Sequence, residues 1–178
     1  MNIINKQIVT QKIICKWCTL NDISMLDTLV ELFVRNVNKQ YISHGEVIDG
    51  RANNMNEWKL EIKEIMREEF AEAMNSSFDI SHTFSKLCIL TQEENIVALA
   101  LVVFYPQTKI AILSDIVVDE PFRGQKIGEA MFHWIETEAK LWGAKSIFLE
   151  SGLQNKSAHH FFENMGFMTT SVVMIKDI

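Results

Sequence analysis

The chain has 178 residues, of which 48% are hydrophobic and 22% charged, with 7 Gly and only 2 Pro. That makeup excludes a collagen, a Pro-rich linker or a disordered tail and predicts one compact domain over residues 1–178. A net charge of −6 argues against nucleic acid as a partner, and no run approaches the roughly 20 apolar residues that cross a bilayer. A protein of the cytoplasm, with no membrane partner, is expected.

Residues 8–18 mix β-branched and apolar side chains and predict a first strand, after which Asn21 or Asp22 can cap a helix. Cys15, Cys18 and Cys88 are an odd number and offer no disulfide framework, which fits a reducing compartment. Cys15-Lys16-Trp17-Cys18 has redox-motif spacing. In a strand, however, residues three apart point to opposite faces, and no second Cys/His pair completes a zinc site, so a structural role and no metal are expected.

From Ile23 to about Asn38, Leu26, Leu29, Val30, Phe33, Val34 and Val37 recur at helical steps. Residues 39–56 carry Gly45 and Gly50 and no sustained period. They form a long connection containing Tyr41, His44 and Glu46, of a length that is often functional. A second helix is predicted over 57–74, with Trp58, Ile62, Ile65, Met66, Phe70 and Met74 on one face and Glu61, Glu64, Glu68, Glu69 and Glu72 on a solvated one.

Three strands at 87–91, 96–105 and 110–118, joined by short polar turns, predict an antiparallel meander. A helix over 125–142, a strand over 146–151, a short helix over 157–165 and a last strand over 167–175 complete the order β-α-α-β-β-β-α-β-α-β.

The fourth strand runs through Asp119-Glu120-Pro121-Phe122-Arg123-Gly124-Gln125-Lys126-Ile127-Gly128 into an amphipathic helix. Such a turn aims backbone N–H groups at one point in front of a helix N-terminus, which suits a phosphate. Gly124 and Gly128 allow close approach, and Arg123 and Lys126 supply counter-charge. An ordinary strand-to-helix turn with exposed basic residues is the plain alternative. Neither the nucleotide P-loop nor the dinucleotide Gly-x-Gly-x-x-Gly is present.

This segment resembles the Arg/Gln-x-x-Gly-x-Gly/Ala motif of the GNAT superfamily of N-acetyltransferases, with Lys126 where the first glycine is usual. Asn155-Lys156-Ser157-Ala158-His159-His160-Phe161-Phe162-Glu163-Asn164-Met165-Gly166-Phe167 is similar to that family's Asn-x-x-Ala-x-x-Phe-Tyr-x-x-x-Gly-Phe. The resemblance implies an α/β (α+β) fold: a mixed, mostly antiparallel sheet splayed between its fourth and fifth strands, with helices on both faces and acetyl-CoA in the gap. On that comparison Ile116, Val117 and Val118 meet the pantetheine and thioester, and Arg123, Gly124, Gln125, Lys126, Ile127, Gly128 and Glu129 wrap the pyrophosphate. Asn155 either caps its helix or bonds the pantetheine, and Phe161 and Phe162 lie on the cofactor side of the last helix or in the core.

An amine attacks a thioester only as the free base, so the site must take a proton from an ammonium whose reference pKa is roughly 10. Asp115 and Glu150, on the strands flanking the splay, are the candidate bases, directly or through water. The N–H of Val117 or Val118 is the candidate oxyanion donor. The family's usual acid is a Tyr where this chain has Phe162. The thiolate then leaves without full protonation, or His159, Tyr41 or His44 donates.

The resulting expectation is an acetyl-CoA-dependent N-acetyltransferase acting by direct attack of the primary amine of a small molecule. A peptide or protein N-acetyltransferase and a non-catalytic acyl-CoA-binding sensor are the alternatives. An exposed edge strand would allow a homodimer.

Overall fold

The computed structural model describes residues 12–176 and 178. Its main sheet has the order β1 (Ile13–Trp17), β4 (Phe84–Gln92), β5 (Asn95–Tyr105), β6 (Ile110–Val118) and β7 (Ser146–Leu149), while β2 (Ala52–Asn54) and β3 (Glu57–Trp58) form a separate hairpin. The first three pairings of the main sheet are antiparallel and β6–β7 is parallel. The helices are α1 (Leu26–Asn36), α2 (His44–Ile48), α3 (Ile62–Asn75), α4 (Ile127–Leu141) and α5 (Lys156–Asn164). A 3-10 turn at Leu20–Met25 leads into α1, opened by a capping box in which Thr19 and Asp22 exchange side-chain and backbone bonds.

Both faces of the sheet are covered, so its central strands read as almost unbroken apolar runs. On β4, Leu87 and Ile89 enter a core shared with α1 and α3, around Leu29, Phe33, Met66 and Phe70. Their neighbours Cys88 and Leu90 enter a second core with α4 and α5, around Met131, Ile135 and Phe162. The period of two explains the cysteines: Cys18 lies in the first core and Cys15 packs against the second, so the pair points to opposite faces as expected. Burial pushes the Cys15 thiol up to about 11 and, with the Asp22 charge adding to burial, that of Cys18 up to about 12, the opposite of a reactive thiol.

The first strand is described from Ile13, and residues 8–11 of the expected strand lie outside the described residues. The structure departs from the sequence reading in three places. The long connection is not structureless, since it holds α2 and the β2–β3 hairpin. The second helix starts at Ile62 and not at 57, because Trp58 pairs with Ala52 in that hairpin; its spacing of four from Ile62 mimics a helical turn.

The last expected strand, 167–175, does not form. Residues 168–176 carry no strand, and Met168, Val172, Met174 and Ile175 are exposed. A β-prone run becomes a strand only against a hydrogen-bonding partner, and this one has none within the described residues. A groove of about 200 Å³ between α4, β7 and the end of α5, walled by Phe132, Ala139, Ile147, Met165 and Phe167, lies beside it.

Candidate active site

β6 and β7 pair only from Ile110 with Ser146 to Leu113 with Leu149, and beyond that β7 ends while β6 runs on. The divergence starts at a bulge: Leu101 faces Asp115 and Val102 faces Leu113, which leaves Ser114 as the extra residue. Residues 115–118 are therefore paired with β5 on one side and open on the other. Strand parity says which groups face the opening. The Asp119 N–H donates to the Val97 carbonyl on the β5 side (2.9 Å), so Val117, two residues earlier, also faces β5. Ile116 and Val118 face the splay, and the Val118 carbonyl there accepts from Arg123 Nε at 3.0 Å.

The turn after β6 is built to open the N-terminus of α4. Gly124 has φ +75°, and Lys126, the N-cap, sits at φ +62° with no side-chain cap, so a lysine occupies a left-handed position that glycine would take at less cost. The N–H groups of Ile127, Gly128 and Glu129 at the start of this 15-residue helix are uncapped donors. A Cβ at Gly128 would touch the Phe161 ring at 3.4 Å and Val118 at 3.5 Å, so the glycine lets α5 close over the turn.

The turn's own side chains brace it. Arg123 Nη2 donates to Asn36 Oδ1 at 2.8 Å, Gln125 Nε2 donates to the Pro121 carbonyl at 3.1 Å, and Asp119 holds Arg35 and Asn36 of α1. Arg123 thus fastens the turn to α1, and the Lys126 side chain is left exposed beside the helix terminus.

Below the splay, on the α1 and α3 side, lies a buried charge cluster. Arg51, 6% exposed, donates through Nη1 to Asp115 (3.1 and 3.2 Å) and to Glu46 (3.3 Å), through Nε to Glu69 (2.9 Å), and through Nη2 to Glu69 again. Tyr41 Oη donates to Asp115 at 3.0 Å. Three carboxylates thus share one guanidinium, and two of them, Asp115 and Glu46, are shifted. Burial, opposed by Arg51, raises the Asp115 carboxyl above its ordinary range. Burial first and the Asp115 charge second push Glu46 up to about 7. Tyr41, half-buried beside Asp115, is pushed well above 10 and keeps its proton.

At the fork itself α2 meets the end of β7. His44 Nδ1 lies 2.6 Å from Glu150 Oε1, and the Gly45 N–H donates to the same oxygen at 2.9 Å. Both side chains are accessible, at 37% and 43% exposure. The approach depends on Gly152, where a Cβ would overlap the carbonyl oxygens of Gln40 and Ile42. Beside this crossing opens a groove of about 470 Å³, lined by Lys39, Gln40 and Ile42 from one side, Met55 and Asn56 from the hairpin turn, and Leu153 and Gln154 after β7. The Trp58 indole N–H, next to Tyr41, is buried without a partner among the described residues.

Asp115 and Glu150 therefore flank the splay, but in unlike settings: Asp115 is 1% exposed beneath Tyr41 and Arg51, and Glu150 is open. The Asn155 Oδ1 caps α5, accepting from the Ala158 N–H (3.4 Å) and Ser157 Oγ (3.3 Å). His159 is half-buried on α5. Phe161 packs over the α4 N-terminus, and Phe162 lies in the second core against Phe161 and Phe167 at ring distances of 5.1 and 5.5 Å. Sequence reasoning missed Arg51 and assigned Glu69 to a solvated face, whereas Glu69 turns in to pair with Arg51. The signal was Arg51 itself, a lone cation between Gly50 and the buried Ala52.

An open-edged strand running into an uncapped helix N-terminus, with acidic groups at the fork, is the arrangement of an acyltransferase of the GNAT fold. The model of the acetyltransferase (GNAT) family matches residues 53–167, and the chain belongs to that family. An aminoalkylphosphonate N-acetyltransferase from Salmonella typhimurium is 36% identical over 58 residues, a stretch that covers 33% of this chain and only 38% of that protein.

Among solved structures, a transcriptional regulator from Bacillus halodurans C-125 aligns over 94% of this chain and 100% of its own, with TM-score 0.65 and 19% identity. A putative acetyl transferase from Pyrococcus furiosus aligns over 94% and 100%, with TM-score 0.61 and 23% identity. The aminoglycoside N-acetyltransferase AAC(6')-Iy in complex with CoA aligns over 94% and 95%, with TM-score 0.60 and 12% identity. At these identities the likeness is one of fold.

Proposed function

We propose that the protein is an acetyl-CoA-dependent N-acetyltransferase that moves an acetyl group to a primary amine of a small molecule by direct attack. The observation that carries this reading is the open edge of residues 114–118, which leads directly into the uncapped N-terminus of α4. Ile116 and Val118 offer backbone donors and acceptors to an amide-bearing arm. The N–H groups from Gly124 to Glu129, with the Lys126 ammonium, suit a pyrophosphate. Asn155 keeps its Nδ2 for the ligand while Oδ1 caps α5, and Phe161 walls the channel over Gly128. Bound acetyl-CoA supplies an acetyl group activated as a thioester.

The rest is the work of the chain. The Val118 N–H, which faces the splay where that of Val117 does not, stabilises negative charge developing on the acyl oxygen. The three carboxylates around Arg51 give the acceptor side a negative potential that draws in an ammonium. Asp115, buried and held by Tyr41 and Arg51, shapes that potential and the strand that bears it, and is too enclosed to meet the amine. Phe162 brings no hydroxyl, so the thiolate leaves without a dedicated acid, and His159 is the side chain on α5 that could supply one. The relative that acts, by its name, on aminoalkylphosphonates supports a small amine as acceptor. The unpaired cysteines support a reducing, cytoplasmic setting.

Thermal unfolding with and without acetyl-CoA, followed by CoA release with a panel of primary amines and an N-terminal peptide, tests the proposal. Ligand at about 100 times its dissociation constant stabilises by roughly 2.7 kcal/mol, or about 5–10 °C for a chain of this size. No shift at millimolar acetyl-CoA refutes the proposal. A shift without turnover of any amine identifies an acyl-CoA sensor in its place, and turnover of the peptide alone a protein acetyltransferase.

A further inference from the structure

We infer that His44 is the base that takes the proton of the acceptor amine, and that Glu150 is its positioning residue; the inference rests on the acetyltransferase reading above. A carboxylate oxygen only accepts, so at 2.6 Å the proton between the two groups belongs to His44 Nδ1. In the neutral imidazole this leaves Nε2 with the lone pair, on the side away from Glu150. The Gly45 N–H, bonded to the same Oε1 at 2.9 Å, holds the carboxylate, so the imidazole is oriented by a group that is itself fixed.

Position favours this pair over Asp115. The Asp115 side chain is wholly buried and already bonded to Tyr41 and Arg51, whereas His44 and Glu150 are open to solvent where β6 and β7 part. Gly45 and Glu150 are 105 positions apart in the chain, and α2 carries His44 to the fork because Gly152 admits the backbone of residues 40–42.

The protons balance. An ammonium N–H bond breaks and its proton goes to His44 Nε2. The freed pair on nitrogen forms the C–N bond to the acetyl carbon, and the C–S bond breaks with its electrons on sulfur. The second proton, left on nitrogen by that bond formation, ends on the thiolate, and the imidazolium returns its own to solvent.

Two measurements on the full chain test the inference. In side-chain ¹⁵N spectra, with the His44 signals assigned by their loss in His44→Gln, the neutral imidazole should carry its proton on Nδ1, and Glu150→Ala should abolish that preference. With an amine that the wild type acetylates, His44→Gln should lower kcat roughly a hundredfold or more and leave acetyl-CoA affinity unchanged, and added imidazole should restore part of the activity of His44→Ala. A neutral His44 protonated on Nε2, or His44→Gln turning over within a few-fold of wild type, would overturn the inference while leaving the acetyltransferase reading intact. Acetyl-CoA binding with no turnover of any amine by the wild type would overturn the reading itself, and the base with it.

Discussion

Replacing Glu46 by Gln should make the protein's stability less dependent on pH, and the direction and size follow from the cluster around Arg51. Glu46 is 8% exposed, and burial together with the Asp115 charge pushes its carboxyl from 4.5 up to about 7 despite the nearby guanidinium. The folded chain therefore holds this proton more tightly than the unfolded chain does. The stability so gained is complete below pH 4.5 and is lost as pH rises through about 7. At about 1.4 kcal/mol per pH unit, that loss is on the order of 3 kcal/mol.

The amide introduced by Glu46→Gln cannot titrate, and its oxygen can still accept from Arg51 Nη1. The stability of Glu46→Gln relative to wild type should thus rise by about 3 kcal/mol between roughly pH 4.5 and pH 8, or about 6–12 °C in Tm. Asp115, whose carboxyl is raised in the same direction, is present in both proteins, so its contribution cancels to first order in the difference. Urea unfolding of both proteins across this range measures it, and the pH-independent cost of the substitution drops out. Parallel stability curves would show that Glu46 ionises normally inside the cluster and would refute the reasoning.

Two further outcomes are expected. Gly152→Ala forces a methyl group against the carbonyl oxygens of Gln40 and Ile42, which should cost about 1–3 kcal/mol and raise the KM for the amine more than that for acetyl-CoA; an unchanged melting temperature would contradict the overlap. The three thiols should react slowly with a thiol reagent near neutral pH and rapidly in urea, because burial holds Cys15 at about 11 and Cys18 at about 12 and encloses Cys88 completely; fast labelling of the native protein would refute that.

The half of the candidate site that the proposed function gives to the acyl donor was legible because it is local. Strand, glycine turn and helix follow one another within residues 110–141, and their spacing survives intact in the structure. The other half was legible only in part: Tyr41, His44, Glu46, Asp115 and Glu150 stood out singly, and Arg51 and Glu69, which join them, did not. Arg51 reaches Asp115 across 64 positions and Glu69 across 18, and no periodicity links a hairpin residue to a helix glutamate or a buried strand aspartate. Local pattern also misled twice for a physical reason. Trp58 kept helical spacing with Ile62 while belonging to a hairpin, and residues 167–175 kept strand composition without a strand to pair with among the described residues. Composition describes what a segment could pair with; only the topology supplies the partner.

The crossing at Gly152 also bears on how such a protein can diversify. It brings the backbone of residues 40–42 against the end of β7, next to the bonds that Glu150 makes to His44 and Gly45. Substitutions at Lys39, Met55 or Asn56, or a change in the length of the hairpin turn, would reshape the groove beside that crossing without touching the turn ahead of α4. The turn ahead of α4 and the groove can thus drift independently, and on the proposed function a new amine is within reach of a handful of loop changes, provided that residue 152 stays glycine.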